Sequence, residues 1–232
     1  SILNASDYIY ISDNAFNVRS PSYSGVDQQA VDCKMVPGAT NIHIFRNTFV
    51  SSNNMGPGLI EVAGSINFYD NYVDLRNATG NGGYLFYFWY ESGSDPSAYV
   101  NCYRNTIIGA KTGLLYPIGG ISWSNMKVRL YNNIFKECQG VFSKFSGYVG
   151  EIDFYHNTFY NCLLSGVSGD PSITMKFKNN LFTNWGSYAL SDTSKMSSTW
   201  NGNVYTKSGA SATTTAFQWN GSGVSFNTLK SS

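Results

Sequence analysis

Asp32, Lys34 and Glu61 are the residues best placed in this sequence to work as an acid–base group. The lysine can remove a proton next to a uronate carboxylate, and a cation held by the two carboxylates can offset that group's charge. Calcium held by clustered carboxylates is the cofactor such an elimination would bring. A second group is aromatic. Tyr87, Trp89 and Tyr90 close the apolar run Tyr84–Tyr90, with Tyr116 and Lys144 further along the chain. Alternation along an extended strand puts Tyr87 and Trp89 on one face, expected to be solvent-facing, and Phe86 and Phe88 on the other. Aromatic rings of that kind stack on sugar rings, and tyrosine hydroxyls add hydrogen bonds. Hydrolysis finds no support. It needs a carboxylate pair ~5–9.5 Å apart, and no tight Asp–Asp or Asn-x-Asp pair stands among the 14 acidic residues. His43 and His156 have no carboxylate or cysteine at metal or triad spacing and read as surface residues.

The elements that must position these residues come from a repeat. The pattern apolar-x-apolar-x-x-Asn-x-apolar runs through the chain, beginning with Ile9-x-Ile11-x-x-Asn14-x-Phe16. It returns around Asn47, Asn71, Asn105, Asn133, Asn157 and Asn180, and in degenerate form around Asn203. The Asn-to-Asn spacings are 33, 24, 34, 28, 24, 23 and 23. Repeats of this length signal a solenoid in which one unit cannot bury its own apolar face. The apolar-x-apolar triplet points two side chains inward from a strand. Asn tolerates the left-handed conformation and is expected to make the bend itself. Stacked at ~4.8 Å per coil, the asparagines form a ladder. The fold expected is all-β: a right-handed parallel β-helix of about eight coils, one domain over 1–232, with 206–232 as a C-terminal cap.

The same register sorts the remaining residues. Phe45, Tyr69, Tyr103, Tyr131 and Tyr155 each stand two before an Asn, pointing outward, and would form either a flat binding stripe ~20 Å long or a stack from coil to coil that stabilises the sheet. Asp13, Arg46, Asp70 and Arg104 alternate in sign just before the Asn, as an exposed charge ladder. Cys102 takes an inward position, and Cys138 and Cys162 stack in adjacent coils. Free core thiols are favoured for all four cysteines, against a Cys138–Cys162 bridge. The longest Asn spacings, Asn14–Asn47 and Asn71–Asn105, mark insertions, where function concentrates on a rigid scaffold.

Composition agrees. Charged residues are 12% against about 25% in an average soluble protein, while 17 Tyr and 15 Phe suit short strands. A net charge of +1 with no basic run excludes a basic nucleic-acid footprint. The apolar run Tyr84–Tyr90 falls far short of the ~18 residues of a membrane span. The chain starts inside a strand pattern without a leader, as a mature or excised domain would.

The Asn-ladder coils resemble the pectate-lyase-like β-helix superfamily over nearly the whole chain, and most of all the β-helical carbohydrate-binding modules of secreted plant cell-wall-degrading enzymes, xylanases among them. That resemblance implies a secreted, monomeric, non-catalytic module, appended to a larger enzyme and binding xylan or a related hemicellulose without a cofactor. The expected contacts are Trp89, Tyr87, Tyr90, Tyr116, Lys144, Lys34, Glu61, Asp32, Tyr69, Tyr103, Tyr131 and Tyr155. A uronate lyase and a structural or adhesive β-helix of the phage-tailspike kind are the alternatives.

Overall fold

The computed structural model describes residues 8–18, 29–33, 41–51, 58–62, 64–78, 84–88, 98–110, 113–117, 126–139, 151–165, 174–185, 190–192, 197–209, 215–219 and 222–225. The chain is a right-handed parallel β-helix without helical segments among these residues. The first long sheet stacks eight parallel strands: Ile9–Ser12, Ile42–Phe45, Ile66–Tyr69, Tyr99–Tyr103, Lys127–Tyr131, Glu151–Tyr155, Thr174–Lys178 and Ser197–Asn201. The second stacks the eight strands that follow each Asn, from Ala15–Val18 to Val204–Thr206. A third face is less regular. Val31–Cys33, Gly58–Val62, Tyr84–Phe88 and Gly113–Pro117 form one four-stranded sheet. Leu164–Ser165, Leu190–Asp192, Thr215–Trp219 and Ser222–Ser225 form another, ending in the antiparallel pair Thr215–Trp219 and Ser222–Ser225. Eight like coils were expected; among the described residues a continuous three-sided arrangement runs through about four.

The core lies between the sheets and is built from stacked like residues. Phe135, Phe159, Phe182 and Tyr205 stack in one column with centroids 4.8 to 5.0 Å apart. Phe154, Phe177 and Trp200 form another at 4.5 and 4.1 Å. Each ring fills the space above its equivalent, so offset stacking adds about 0.5–1.5 kcal/mol per pair to the burial itself.

The Asn ladder is complete from Asn14 to Asn203. Each backbone N–H from Asn14 to Asn180 donates to the Oδ1 of the next Asn, at 2.9–3.0 Å. The Nδ2 donates to that same oxygen and to an inward-facing residue's carbonyl in the preceding coil, as Asn105 does to Phe68 and Asn133 to Cys102. Asn47, Asn71, Asn105, Asn133, Asn157 and Asn180 are all buried. The bend lies elsewhere than expected. The left-handed residue is the one before each Asn: Asp13, Arg46, Asp70, Arg104, Asn132, His156, Asn179 and Gly202, with φ of 52–64°. Asn itself stays out of that region, because its amide must reach along the axis while its backbone N–H meets the next rung.

The four cysteines are free and buried. Cys138 and Cys162 form a short ladder of their own at a second turn. The Cys138 N–H donates to Cys162 Sγ at 3.4 Å, and each thiol lies against carbonyls of its own and the preceding coil. Burial pushes the Cys102 thiol up, and the hydrogen bond with Cys138, followed by burial, pushes up that of Cys162.

Two outcomes follow. Asn105→Ala strips partners from the Asn71 N–H and the Phe68 carbonyl, both buried, and should lower stability by about 3 kcal/mol in urea unfolding. Asn203→Ala, at the half-buried end, should cost visibly less; equal losses would deny the ladder its role. Denatured, unreduced protein should react with about four equivalents of a thiol reagent, whereas the folded protein reacts slowly because its thiols are buried.

Candidate functional site

Strand register on the third face brings together residues far apart in sequence. Asp32 pairs with Glu61, Glu61 with Tyr87, and Tyr87 with Tyr116, so the four positions share one column of the third face. The column is not an open cleft. Asp32 is exposed, but Glu61 is 0% and Tyr87 3% exposed. The alternation was read correctly, since Phe86 and Phe88 do face the core, yet the outer face of Tyr84–Phe88 is covered as well. Tyr87 therefore does not face solvent as expected. The Cys33 thiol beneath is pushed up to about 12, first by burial and then by the Asp32 and Glu61 carboxylates. Among the described residues no three His, Cys, Asp or Glu side chains converge as metal ligands. Trp89, Tyr90, Lys34 and Lys144 lie outside the described residues, and Tyr116 is placed only by its backbone.

The outer face of the first sheet is accessible. Phe45, Tyr69, Tyr103 and Tyr131 stand in one column, with centroids 4.8–4.9 Å apart and planes within 8° of parallel. That spacing is one coil, and it has a consequence for recognition. The rings overlap face to face, which is the stacking from coil to coil that stood as the alternative to a flat binding stripe, so a ligand meets their edges and hydroxyls. Burial raises the hydroxyls of Tyr69, Tyr103 and Tyr131, which remain protonated donors. Tyr155 continues the column in register but leaves the stack and hydrogen-bonds the Asp153 carboxylate. The neighbouring column adds the Asn67 and Asn101 side chains, hydrogen-bonded at 3.0 Å, and His43 stacked on Tyr10 at 5.1 Å. Tyr10 is 60% exposed. His156 is exposed, as expected.

Arginines brace the column. Arg46 Nε and Nη2 donate to both oxygens of Asp13, and Arg104 does the same to Asp70. The Arg46 guanidinium lies 4.5 Å over Phe45 and that of Arg104 4.7 Å over Tyr103. The Arg46 hydrogen bonds hold the Asp13 carboxyl at about 2, and those from Arg104 hold Asp70 below its usual value. The charges form two pairs and not a continuous ladder. Both are solvent-screened and contribute little to stability; their geometric effect is to fix the guanidiniums over the rings.

Further down the face lies a cluster the sequence reading missed. Glu151 and Asp153 point outward from one strand, between Lys127 and Arg129 on the preceding strand and Lys176 and Lys178 on the following one. Lys176 Nζ donates to Glu151 at 2.7 Å. Asp153 has only longer ion pairs, with Arg129 and Lys176 at 4.0 Å each. Its side chain is 6% exposed, and its Oδ1 is buried without a hydrogen-bond donor. The two carboxyls are pushed apart. Lys176 lowers Glu151, while burial and then the Glu151 charge raise Asp153. The signal was present in the repeat: Arg129, Asp153 and Lys176 each stand four before a ladder Asn. Tracing that column as closely as the tyrosines would have found them.

Comparison with protein-family models, curated proteins and solved structures gives no significant match.

A raised Asp153 in the folded state means that stability is greatest below the carboxyl's ordinary value and falls as pH rises through the folded-state value. Asp153→Asn should therefore stabilise the protein at neutral pH, by about 1 kcal/mol, because Arg129 and Lys176 are exposed enough to regain water. The gain should vanish in acid. Parallel urea titrations of both proteins check it; a loss of stability at neutral pH would mean that the two 4.0 Å ion pairs outweigh desolvation.

Proposed function

We propose that the chain is a secreted, non-catalytic carbohydrate-binding module that recognises a plant cell-wall polysaccharide, a hemicellulose such as xylan, through the outer face of its first sheet. The observation that carries the reading is the row of tyrosine edges at the coil repeat, flanked by Asn67 and Asn101 and braced by Arg46 and Arg104. An extended glycan presents hydroxyls at a repeat close to that spacing. A row of rigid hydroxyl and amide groups can therefore meet successive sugars with little ordering cost on the protein side. The resemblance of the coils to β-helical carbohydrate-binding modules supports the same reading and the extracellular setting. Because the third-face column is covered at Glu61 and Tyr87, the first sheet takes precedence over the Trp89 cluster.

A second reading has one specific observation behind it. Glu151 and Asp153 are adjacent carboxyls with shifts of opposite sign, the arrangement expected of an acid–base pair. A lyase acting at this cluster would release products with an unsaturated ring, visible by ultraviolet absorbance.

Affinity electrophoresis against xylan, other hemicelluloses and glucans separates these readings when product absorbance is followed in parallel. Tyr103→Phe keeps the ring stack and removes one hydroxyl, and should weaken binding by about 0.5–1.5 kcal/mol. Tyr103→Ala should weaken it further, while circular dichroism keeps its β-sheet spectrum. If neither change alters binding, the first sheet is not the recognition face.

A further inference from the structure

The outer face of the first sheet carries different charge balances at its two ends. Towards Asn14, Arg46 and Arg104 are each closed on a carboxylate in bidentate geometry, which leaves that end neutral. Past Tyr131, the last ring of the stack, four cations meet two carboxylates: Lys127, Arg129, Lys176 and Lys178 around Glu151 and Asp153. Lys176 is engaged by Glu151. Lys127, Arg129 and Lys178 are exposed. The cations stand on the first and third of three successive strands, about 10 Å apart along the axis. They do not converge on a point, so the arrangement suits charges spaced along a polymer more than a single small anion. Nucleic acid fits poorly, because duplex DNA carries a charge every ~1.7 Å while this patch has a surplus of only two.

Asp153 stands at the centre of that patch. Among the described residues the groups around it are Glu151 and Tyr155 on its own strand, Lys127, Arg129 and Tyr131 on one neighbour, and Lys176 and Lys178 on the other. It is buried, lacks a donor at Oδ1 and is the carboxylate least compensated by its neighbours. A negative group bound over Lys127, Arg129 and Lys178 would face a like charge at Asp153. It is relieved of that repulsion when Asp153 takes a proton. We propose that this end of the face binds anionic substituents of a polysaccharide, carboxylate or sulfate, and takes up a proton at Asp153 as it does so. The inference rests on the reading that this face binds polysaccharide. By reciprocity, protonation of Asp153 strengthens anion binding by the factor with which the anion favours protonation.

The test uses the full chain and four polymers: polygalacturonate, its fully methyl-esterified form, dextran sulfate and unmodified dextran. Binding is read by titration calorimetry. At least one charged polymer should bind about tenfold more tightly than its neutral counterpart, with the advantage lost in high salt; which one does so tells carboxylate from sulfate. The Lys127→Gln/Lys178→Gln pair should remove most of that advantage and leave neutral-polymer binding unchanged. Asp153→Asn should bind the charged polymer several-fold more tightly at neutral pH, while the natural protein approaches that affinity on acidification. Measured in buffers of different ionisation enthalpy, the natural protein should take up protons on binding the charged polymer and the variant should not. Equal binding of charged and neutral polymers overturns the inference but leaves polysaccharide recognition standing. No binding to any polysaccharide, hemicelluloses included, overturns both. Binding of a homopolymeric RNA as tightly as the charged glycan overturns it in favour of a general polyanion surface. An Asp153→Asn variant with unchanged affinity and unchanged proton uptake removes Asp153 from the account.

Discussion

At each bend between the two long sheets, one side chain satisfies several backbone groups that would otherwise be buried and unpaired. The Asn oxygen accepts a neighbouring rung's backbone N–H and amide, and its own amide reaches a carbonyl of the preceding coil. An unpaired buried amide or carbonyl costs about 1–3 kcal/mol, so a rung one residue out of register would lose several bonds at once. This demand holds the coils at one spacing and in one register. It also dictates where the chain bends. With Asn committed to the axial bonds, the left-handed conformation falls on the preceding residue, which points outward and is free in identity. Asp, Asn and Gly take that position easily. Arg46, Arg104 and His156 take it at a cost of about 1–2 kcal/mol each, which the ladder offsets.

A fixed register turns sequence similarity between coils into physical columns. Inside, phenylalanine stacks on phenylalanine; outside, tyrosine stacks on tyrosine at the same repeat. What is favourable for rings is unfavourable for charges, since like charges one coil apart repel. The charged columns therefore alternate in sign: Arg46 on Asp13, Arg104 on Asp70, Arg129 and Lys176 around Asp153. The outer face gains rigidity in this way, because its stacked rings and paired charges are held by counterparts above or below. The same stacking limits what the rings can offer, as their faces are occupied by one another.

The sequence was most legible where the repeat is strict. Asn positions, inward triplets, the tyrosine column and the stacking of Cys138 on Cys162 could all be read from spacing. Legibility failed in two ways. Local conformation was misassigned at the bend, because Asn tolerates left-handed backbone and nothing in a single coil says that its side chain is already committed along the axis. Exposure was misassigned at Tyr87, because alternation tells inside from outside but not whether the outside is covered. Glu61, in the same column, was expected beside Asp32 and is there, yet fully buried. The Glu151–Asp153 cluster was missed for a different reason. Its partners come from neighbouring coils, so it emerges only when a whole column is read at once.

The second turn tests why Asn dominates the first. Glu137 and Asn161 are left-handed there, and Cys138 and Cys162 follow them as the ladder asparagines follow their bends. A thiol can imitate the amide in part. Its sulfur accepts a backbone N–H, and it lies against carbonyls at 3.3–3.7 Å. Thiols are weak donors and acceptors, however, and the equivalent positions in adjoining coils are Ala110 and Trp185, whose side chains cannot supply such an acceptor. The second turn keeps the backbone bonds between coils that the Asn turn also makes, such as Gln139 N–H to the Ala110 carbonyl and Leu163 N–H to that of Cys138, without a continuous side-chain ladder beside them. The two turns thus divide the labour: the Asn turn sets spacing and register along the stack. The second turn, freed from that duty, accepts residues of different size.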